Sequence, residues 1–303
     1  RLPALHSTQF ISVLDKFALH SQKLSDLSGQ YYSTVMFDET YAQRDGIIRR
    51  ETQFPKLVKD WVLSGPHFYV GTPFYNTPKA ICNTHKAYDS LDLTIIPDDY
   101  LPRTNYVPDC DKTEYLARTP KVPWVDDSDL VAWEATGSDP SQKPTPRPVT
   151  DYYRFVNRRA LSQSGERTAI ATILPKNIAH IDGCFSTTFK DPSLMLLMCS
   201  ALNSVPFDFY VKSTGKGDMR GDLFNQLIVP TGDRHIQDQL RARFLVLTSL
   251  TSCYSELWAS NFNPRSKDYK WAKIDKRLLD CFFKNLTPDW NRDCALRTDY
   301  ARR

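Results

Sequence analysis

A mixed α+β fold is what this sequence predicts, and three observations lead there. Helix-spaced apolar residues mark some stretches, and short alternating runs between turn residues mark others. The two kinds are interleaved along a chain of 303 residues, enough for one large or two ordinary domains. The chain is 41% apolar and 24% charged, with a mean hydropathy of −0.46. That balance belongs to a folded chain and excludes collagen, coiled coil and disorder.

In chain order, Phe10, Val13, Leu14, Phe17 and Leu24 give residues 10–28 a helical spacing. Residues 31–37 read as a strand. Across 61–110, Pro, Gly and aromatics interrupt the chain every few residues, which predicts short strands and fixed turns with no long helix. The acidic stretch 109–140 carries Trp124 and Trp133, and the Pro-rich stretch 138–150 is the best linker or exposed-loop candidate.

Residues 151–160 alternate, with Tyr152, Arg154, Val156 and Arg158 on one face and Tyr153, Phe155, Asn157 and Arg159 on the other. With 167–174 they form an expected hairpin turned at 162–165, and 178–189 add a third strand. Asp191-Pro192-Ser193 opens a helix running to about Leu202. Phe207, Phe209 and Val211 alternate as an extended piece. One long amphipathic helix is expected over 234–259 and another over 271–283. The expected organisation is an acidic, aromatic- and Pro-rich portion (1–150), a strand-rich core (151–233) and a C-terminal helical segment (234–303).

The charge is uneven. Residues 1–150 hold 16 Lys+Arg against 19 Asp+Glu, and residues 151–303 hold 23 against 16. A basic half invites an anionic partner, although a solvated basic surface looks the same in composition. The seven cysteines are odd in number and form no CxxC, which fits a reducing cytoplasm better than a disulfide framework. No apolar run approaches the ~18 residues that span a bilayer. The start Arg1-Leu2-Pro3-Ala4 has no Met and no hydrophobic signal core, so the chain reads as a piece of a longer protein or a processed one. Cys82-x2-His85 and His180-x3-Cys184 together offer the two sulfurs and two nitrogens of a tetrahedral zinc site. Each is a single pair, however, and about a hundred residues separate them.

The familiar chemical signatures do not occur: no P-loop, no GxGxxG, no GxSxG and no HExxH. Gly is scarce, at 11 residues, yet three glycines fall between Lys212 and Gly221, among Lys212, Lys216 and Arg220. Such a basic loop suits phosphates, as do Arg154, Arg158, Arg159 and Arg167 of the hairpin. The cations at 265–277 repeat at helical spacing and read as a solvated helix face. Asp268-Tyr269-Lys270 carries the only hint of a metal-dependent nuclease, without a companion carboxylate constellation.

Residues 197–230 resemble the target-recognition domain of TaqI-like DNA methyltransferases and of type I specificity subunits. The likeness runs through Leu202-Asn203-Ser204, the aromatic stretch 207–210, the polar loop 212–222 and Leu227 to Pro230. Upstream, Tyr153-Arg154, Glu166-Arg167-Thr168 and Ile173-Leu174-Pro175 are similar to the large fused restriction–modification adenine methylases, including those of phage-defence islands. Gly65-Pro66-His67, Gly71-x-Pro73-Phe74 and the run 100–106 resemble the same enzymes.

The family's Asn/Asp-Pro-Pro-Tyr/Phe motif is missing, since the chain has no Pro-Pro dipeptide. The resemblance therefore implies a strand-rich recognition domain with flanking helices and no catalysis of its own. Its parent would transfer a methyl group to adenine N6, with S-adenosylmethionine in the catalytic domain. Expected partners are double-stranded DNA and that methyltransferase domain, with no membrane, and the expected DNA contacts are Arg154, Arg158, Arg159, Arg167, Lys212, Lys216 and Arg220. The alternative is a protein-interaction segment of the same enzyme.

Overall fold

A computed structural model describes residues 8–84 and 86–303; the chain start Arg1 to Ala4 and His85 lie outside the described residues. The fold is mixed α+β, as the sequence predicts. The first part holds α1 (Thr8–Leu19), β1 (Tyr31–Thr34), α2 (Glu39–Arg44), β2 (Ile48–Gln53) and β3 (Val62–Leu63). There follow β4 (Asn76–Pro78), β5 (Tyr88–Ser90), β6 (Thr104–Pro108), α3 (Lys112–Arg118) and α4 (Asp127–Ala135). Next come β7 (Arg154–Arg158), β8 (Ala171–Leu174), β9 (Ala179–His180), β10 (Cys184–Phe189), α5 (Pro192–Leu202), α6 (Val205–Ser213) and α7 (Asp222–Asn225). The chain closes with α8 (Arg234–Thr248), α9 (Ser255–Asn261) and α10 (Asp299–Arg302).

The centre is an antiparallel sheet in the order β1-β10-β7-β8. The expected hairpin is its β7–β8 pair, with Arg154 opposite Leu174 and Asn157 opposite Ala171. Neither face of β7 meets solvent freely, because four of its five residues are buried. Three two-stranded pairs surround the sheet: β2–β6, the parallel β3–β9, and β4–β5. Helix α5 lies on the sheet and is itself covered by α8. Asp191 caps α5 by accepting from Ser193 N, and Pro192 occupies the first turn, where its missing N–H costs nothing.

One apolar core joins all three portions of the chain: Trp61, Phe68 and Phe74, then Phe155, Leu174 and Leu196, then Phe244, Tyr254 and Trp258. Residues 138–150 form a largely exposed loop whose far end is tied down. Val122 N donates to Arg147 O (3.0 Å) and Val149 N to Pro120 O (2.8 Å), pinning the stretch to 120–122. No single helix among the described residues is long and apolar enough to cross a membrane. The apolar pair α5–α6 is bent by 71°, and α5 is buried in the core.

Four expectations differ from the structure. The helix over 10–28 ends at Leu19, and a 3₁₀ turn, Leu24–Leu27, follows. Residues 207–211 are helical, because Ser204 caps α6 and Pro206 lies in its first turn. Phe207 and Tyr210 then fall on one face, against Phe17 of α1 at 5.0 and 4.8 Å between ring centroids. The helix over 234–259 breaks after Thr248, where Ser249 O accepts from Trp290 Nε1 (2.9 Å) and Leu250 O from Arg297 Nη2 (2.6 Å). These bonds satisfy carbonyls that a continuing helix would have used. Residues 271–283 form turns, with Trp271 Nε1 donating to Leu279 O (3.0 Å) and Ile274 fully exposed.

His67 and His180 are both fully buried, and burial lowers their pKa values to about 4 and about 3. Both are neutral in the fold, whereas an unfolded histidine takes up a proton below about 6.5. The unfolded state therefore binds more protons as pH falls, and folding weakens. Urea unfolding between pH 6 and pH 4 should show stability dropping by about 2–3 kcal/mol per pH unit from these two residues. The slope should roughly halve in His67→Gln; an unchanged slope would assign the acid sensitivity to other groups.

Candidate nucleic-acid interface

The seven cations predicted to meet DNA do not share one environment. Arg154 is wholly buried. Its Nη2 donates to Ile178 O, and its Nη1 lies 3.1 Å from Met36 Sδ and 3.5 Å from Ser186 Oγ. Burial lowers its pKa to about 9. No phosphate reaches this group, so its assignment as a DNA contact is corrected to a structural one.

Arg158 crosses from β7 to the turn that follows β3. Its Nε donates to Gly65 O (2.7 Å) and its Nη2 to Phe68 O, with the guanidinium over the Phe68 ring at 5.6 Å. A Cβ at position 65 would sit 3.6 Å from Arg158 Cγ, so the turn backbone lies directly on this side chain. Arg159 sits between two carboxylates, ion-paired with Asp182 and with Asp218 (3.1 Å). Its hydrogen bond to Asp182, then that to Asp218, raises its pKa despite partial burial.

Arg167 ties the hairpin to the start of α6. Its Nη2 donates to Asn203 O (2.7 Å), and its Nε lies 3.4 Å from Asp208 Oδ2. The other Asp208 oxygen accepts from Thr168 N (2.8 Å) and Ala169 N (2.6 Å). Lys212 Nζ donates to Gly165 O at the hairpin turn (3.1 Å). Arg158, Arg159, Arg167 and Lys212 thus hold protein groups instead of presenting free cations.

The Gly-rich loop is not an open cradle of N–H groups. It is zipped onto the hairpin, with Met219 N donating to Arg159 O (2.8 Å) and Leu161 N to Gly217 O (3.0 Å). Asn157 Nδ2 reaches Met219 O (3.0 Å), and Met219 is buried. Of the seven, only Lys216 and Arg220 are exposed, and Arg220 lies 3.5 Å from Asp218.

Two features lie outside the set of residues predicted from the sequence. A cleft of about 650 Å³ opens beside Gly65 and Arg158, lined also by Arg50, Tyr88, Asn105 and Tyr106. A hydrogen-bonded network stands behind its wall: Asn105 Nδ2 donates to Tyr88 OH (2.8 Å), Thr52 Oγ1 to Asn105 Oδ1 (3.0 Å), and Arg50 Nη2 to Cys82 O (2.7 Å). Burial raises the Tyr88 pKa to about 12, so its hydroxyl stays protonated at neutral pH. The signal available was the likeness at 65–74 and 100–106, which brackets this wall. The second feature is the position of the positive charge. Residues 234–303 hold 14 Lys+Arg against 8 Asp+Glu, whereas 151–233 hold 9 against 8.

The zinc pairing is not assembled by the described residues. His180 Nε2 is bonded to Ser186 Oγ (2.7 Å), and Cys184 is enclosed, its thiol pKa pushed up by burial. Among the described residues no three His, Cys, Asp or Glu side chains are grouped to hold a metal, at Asp268 or elsewhere.

Arg158→Ala would strand two carbonyls, Gly65 O and Phe68 O. At about 1–3 kcal/mol each, the expected loss is about 2–6 kcal/mol, read as a lower urea midpoint at unchanged m. Arg220→Ala should stay within about 0.5 kcal/mol of wild type. Equal effects of the two substitutions would contradict this division between frame and surface.

The chain matches no protein-family model and no curated protein.

Proposed function

We propose that this chain is a duplex-DNA recognition fragment that works beside an adenine-N6 methyltransferase domain and performs no methyl transfer itself. The observation that carries the reading is a convergence. The segments through which the family resemblance runs are bonded to one another, Arg158 to Gly65 and Phe68, and Arg167 to Asn203. Residues far apart in the chain thereby form one frame, and the exposed Lys216 and Arg220 stand on the loop that this frame supports. Phosphate contacts from such cations would set the register of the protein on the duplex.

S-adenosylmethionine does not fit this portion. In open α/β sheets, nucleotide-like cofactors sit at the carboxyl ends of parallel strands. The central sheet here is antiparallel throughout. This reading leaves the methyl donor to the methyltransferase domain and assigns no step to residues of this chain. All seven cysteines are free, in keeping with a reducing compartment such as the cytoplasm.

A second reading, docking onto the methyltransferase domain without touching DNA, draws on the acidic balance of residues 1–150. Fluorescence anisotropy with duplex DNA across a salt series separates the two. Wild type should bind with a steep log–log salt dependence, and Lys216→Ala/Arg220→Ala should flatten the slope by roughly 1–2. Absence of duplex binding at low salt would favour docking.

A further inference from the structure

The C-terminal basic segment was expected to be a solvated helix face, but only a 3₁₀ turn, Pro264–Asp268, forms there. It folds back on α8 and leaves a hollow of about 440 Å³, lined by His235, Gln239, Arg243, Arg265, Tyr269 and Lys270. Asp268 supplies the carboxylate in this lining. Arg265 and Lys270 are exposed, and among the described residues neither has a carboxylate at ion-pair distance. Arg243 is half-buried at the floor. It is held by Gln239 Oε1 (3.0 Å) and Lys270 O (3.3 Å), and its guanidinium lies over Tyr269 at 5.6 Å.

A second, independent observation comes from Tyr269. Its side chain is only 8% exposed, and its hydroxyl is buried with no hydrogen-bond partner. Buried hydroxyls are ordinarily paired, and an unpaired one costs about 1–3 kcal/mol. Tyr269 shares the wall of the hollow with three cations, Arg243, Arg265 and Lys270, and with one carboxylate, Asp268.

We infer that this hollow binds a phosphodiester of the DNA backbone, with Arg265 and Lys270 supplying charge and the Tyr269 hydroxyl and Arg243 supplying oriented donors. The inference rests on the DNA-recognition reading above and deepens it: the principal phosphate grip lies on residues 234–303, not on the hairpin. Three observations fit together. The net positive charge of the chain is concentrated in this segment. The donors are of the kinds that bind phosphate oxygens. Burial lowers the Arg243 pKa, a cost that a bound anion offsets.

The test uses the full chain and a fluorescent duplex in a salt series, with three variants checked for folding by circular dichroism and thermal unfolding. Arg265→Ala/Lys270→Ala should weaken binding about tenfold near 0.1 M salt and reduce the log–log slope by about 1–2. Tyr269→Phe should weaken binding about threefold at unchanged slope, because it removes a donor but no charge. It should not lower the unfolding midpoint, since it deletes an unpaired hydroxyl. The third variant, Lys216→Ala/Arg220→Ala, marks the loop. If the loop variant loses affinity while both hollow variants bind as wild type, the hollow is not a phosphate site and the DNA-recognition reading survives. If wild type binds no duplex at low salt, the recognition reading fails and takes the hollow with it.

Discussion

The structure depends on arginine side chains that donate to backbone carbonyls across segment boundaries. The chain is built from short strands and turns, and such segments leave many carbonyls without a ladder partner. Arg154 takes Ile178 O, Arg158 takes Gly65 O and Phe68 O, Arg167 takes Asn203 O, and Arg302 takes Gly71 O (3.1 Å). A guanidinium suits this work because its planar fork of five N–H groups reaches two acceptors at once. Gly71 shows why the acceptors sit where they do. Its φ of +63° turns the chain sharply, sending its N–H to Ala171 O on β8 and its carbonyl to Arg302.

Regular elements were legible where a local signal agreed with the tertiary environment. Asp191-Pro192 opened α5 at the expected residue, and alternation plus a polar turn gave the β7–β8 hairpin. The failures share a cause. Phe207, Phe209 and Val211 alternate by coincidence, and Ser204 with Pro206 outweighs the alternation by capping a helix. Residues 271–283 have helical spacing, but Trp271 spends its indole N–H on Leu279 O, closing a turn that a helix would not contain. In both places, a side-chain hydrogen bond decided what periodicity left open.

The site was less legible than the fold. Arginines on an alternating strand look like an exposed basic face, because the sequence does not reveal that the strand is covered on both sides. The carbonyl partners of Arg158 lie some 90 residues upstream, at Gly65 and Phe68. No spacing rule connects such positions. The lysines and arginines of 265–277 carry the opposite lesson, since their regular spacing suggested a helix surface and the structure gathers two of them, Arg265 and Lys270, around one hollow.

The order of the central sheet has a kinetic consequence. Strand β1 forms one edge and pairs with β10, so that Tyr31 faces Phe189. More than 150 residues are synthesised between the two partners, including everything up to the hairpin. During translation, β1 and the aromatic segment behind it must wait for β7 and β10 to emerge before either finds its neighbour. Folding of this chain is therefore dominated by late, long-range closure. Its first half spends that interval with an unpaired strand exposed, the condition in which chaperone binding and misassembly compete with the native sheet.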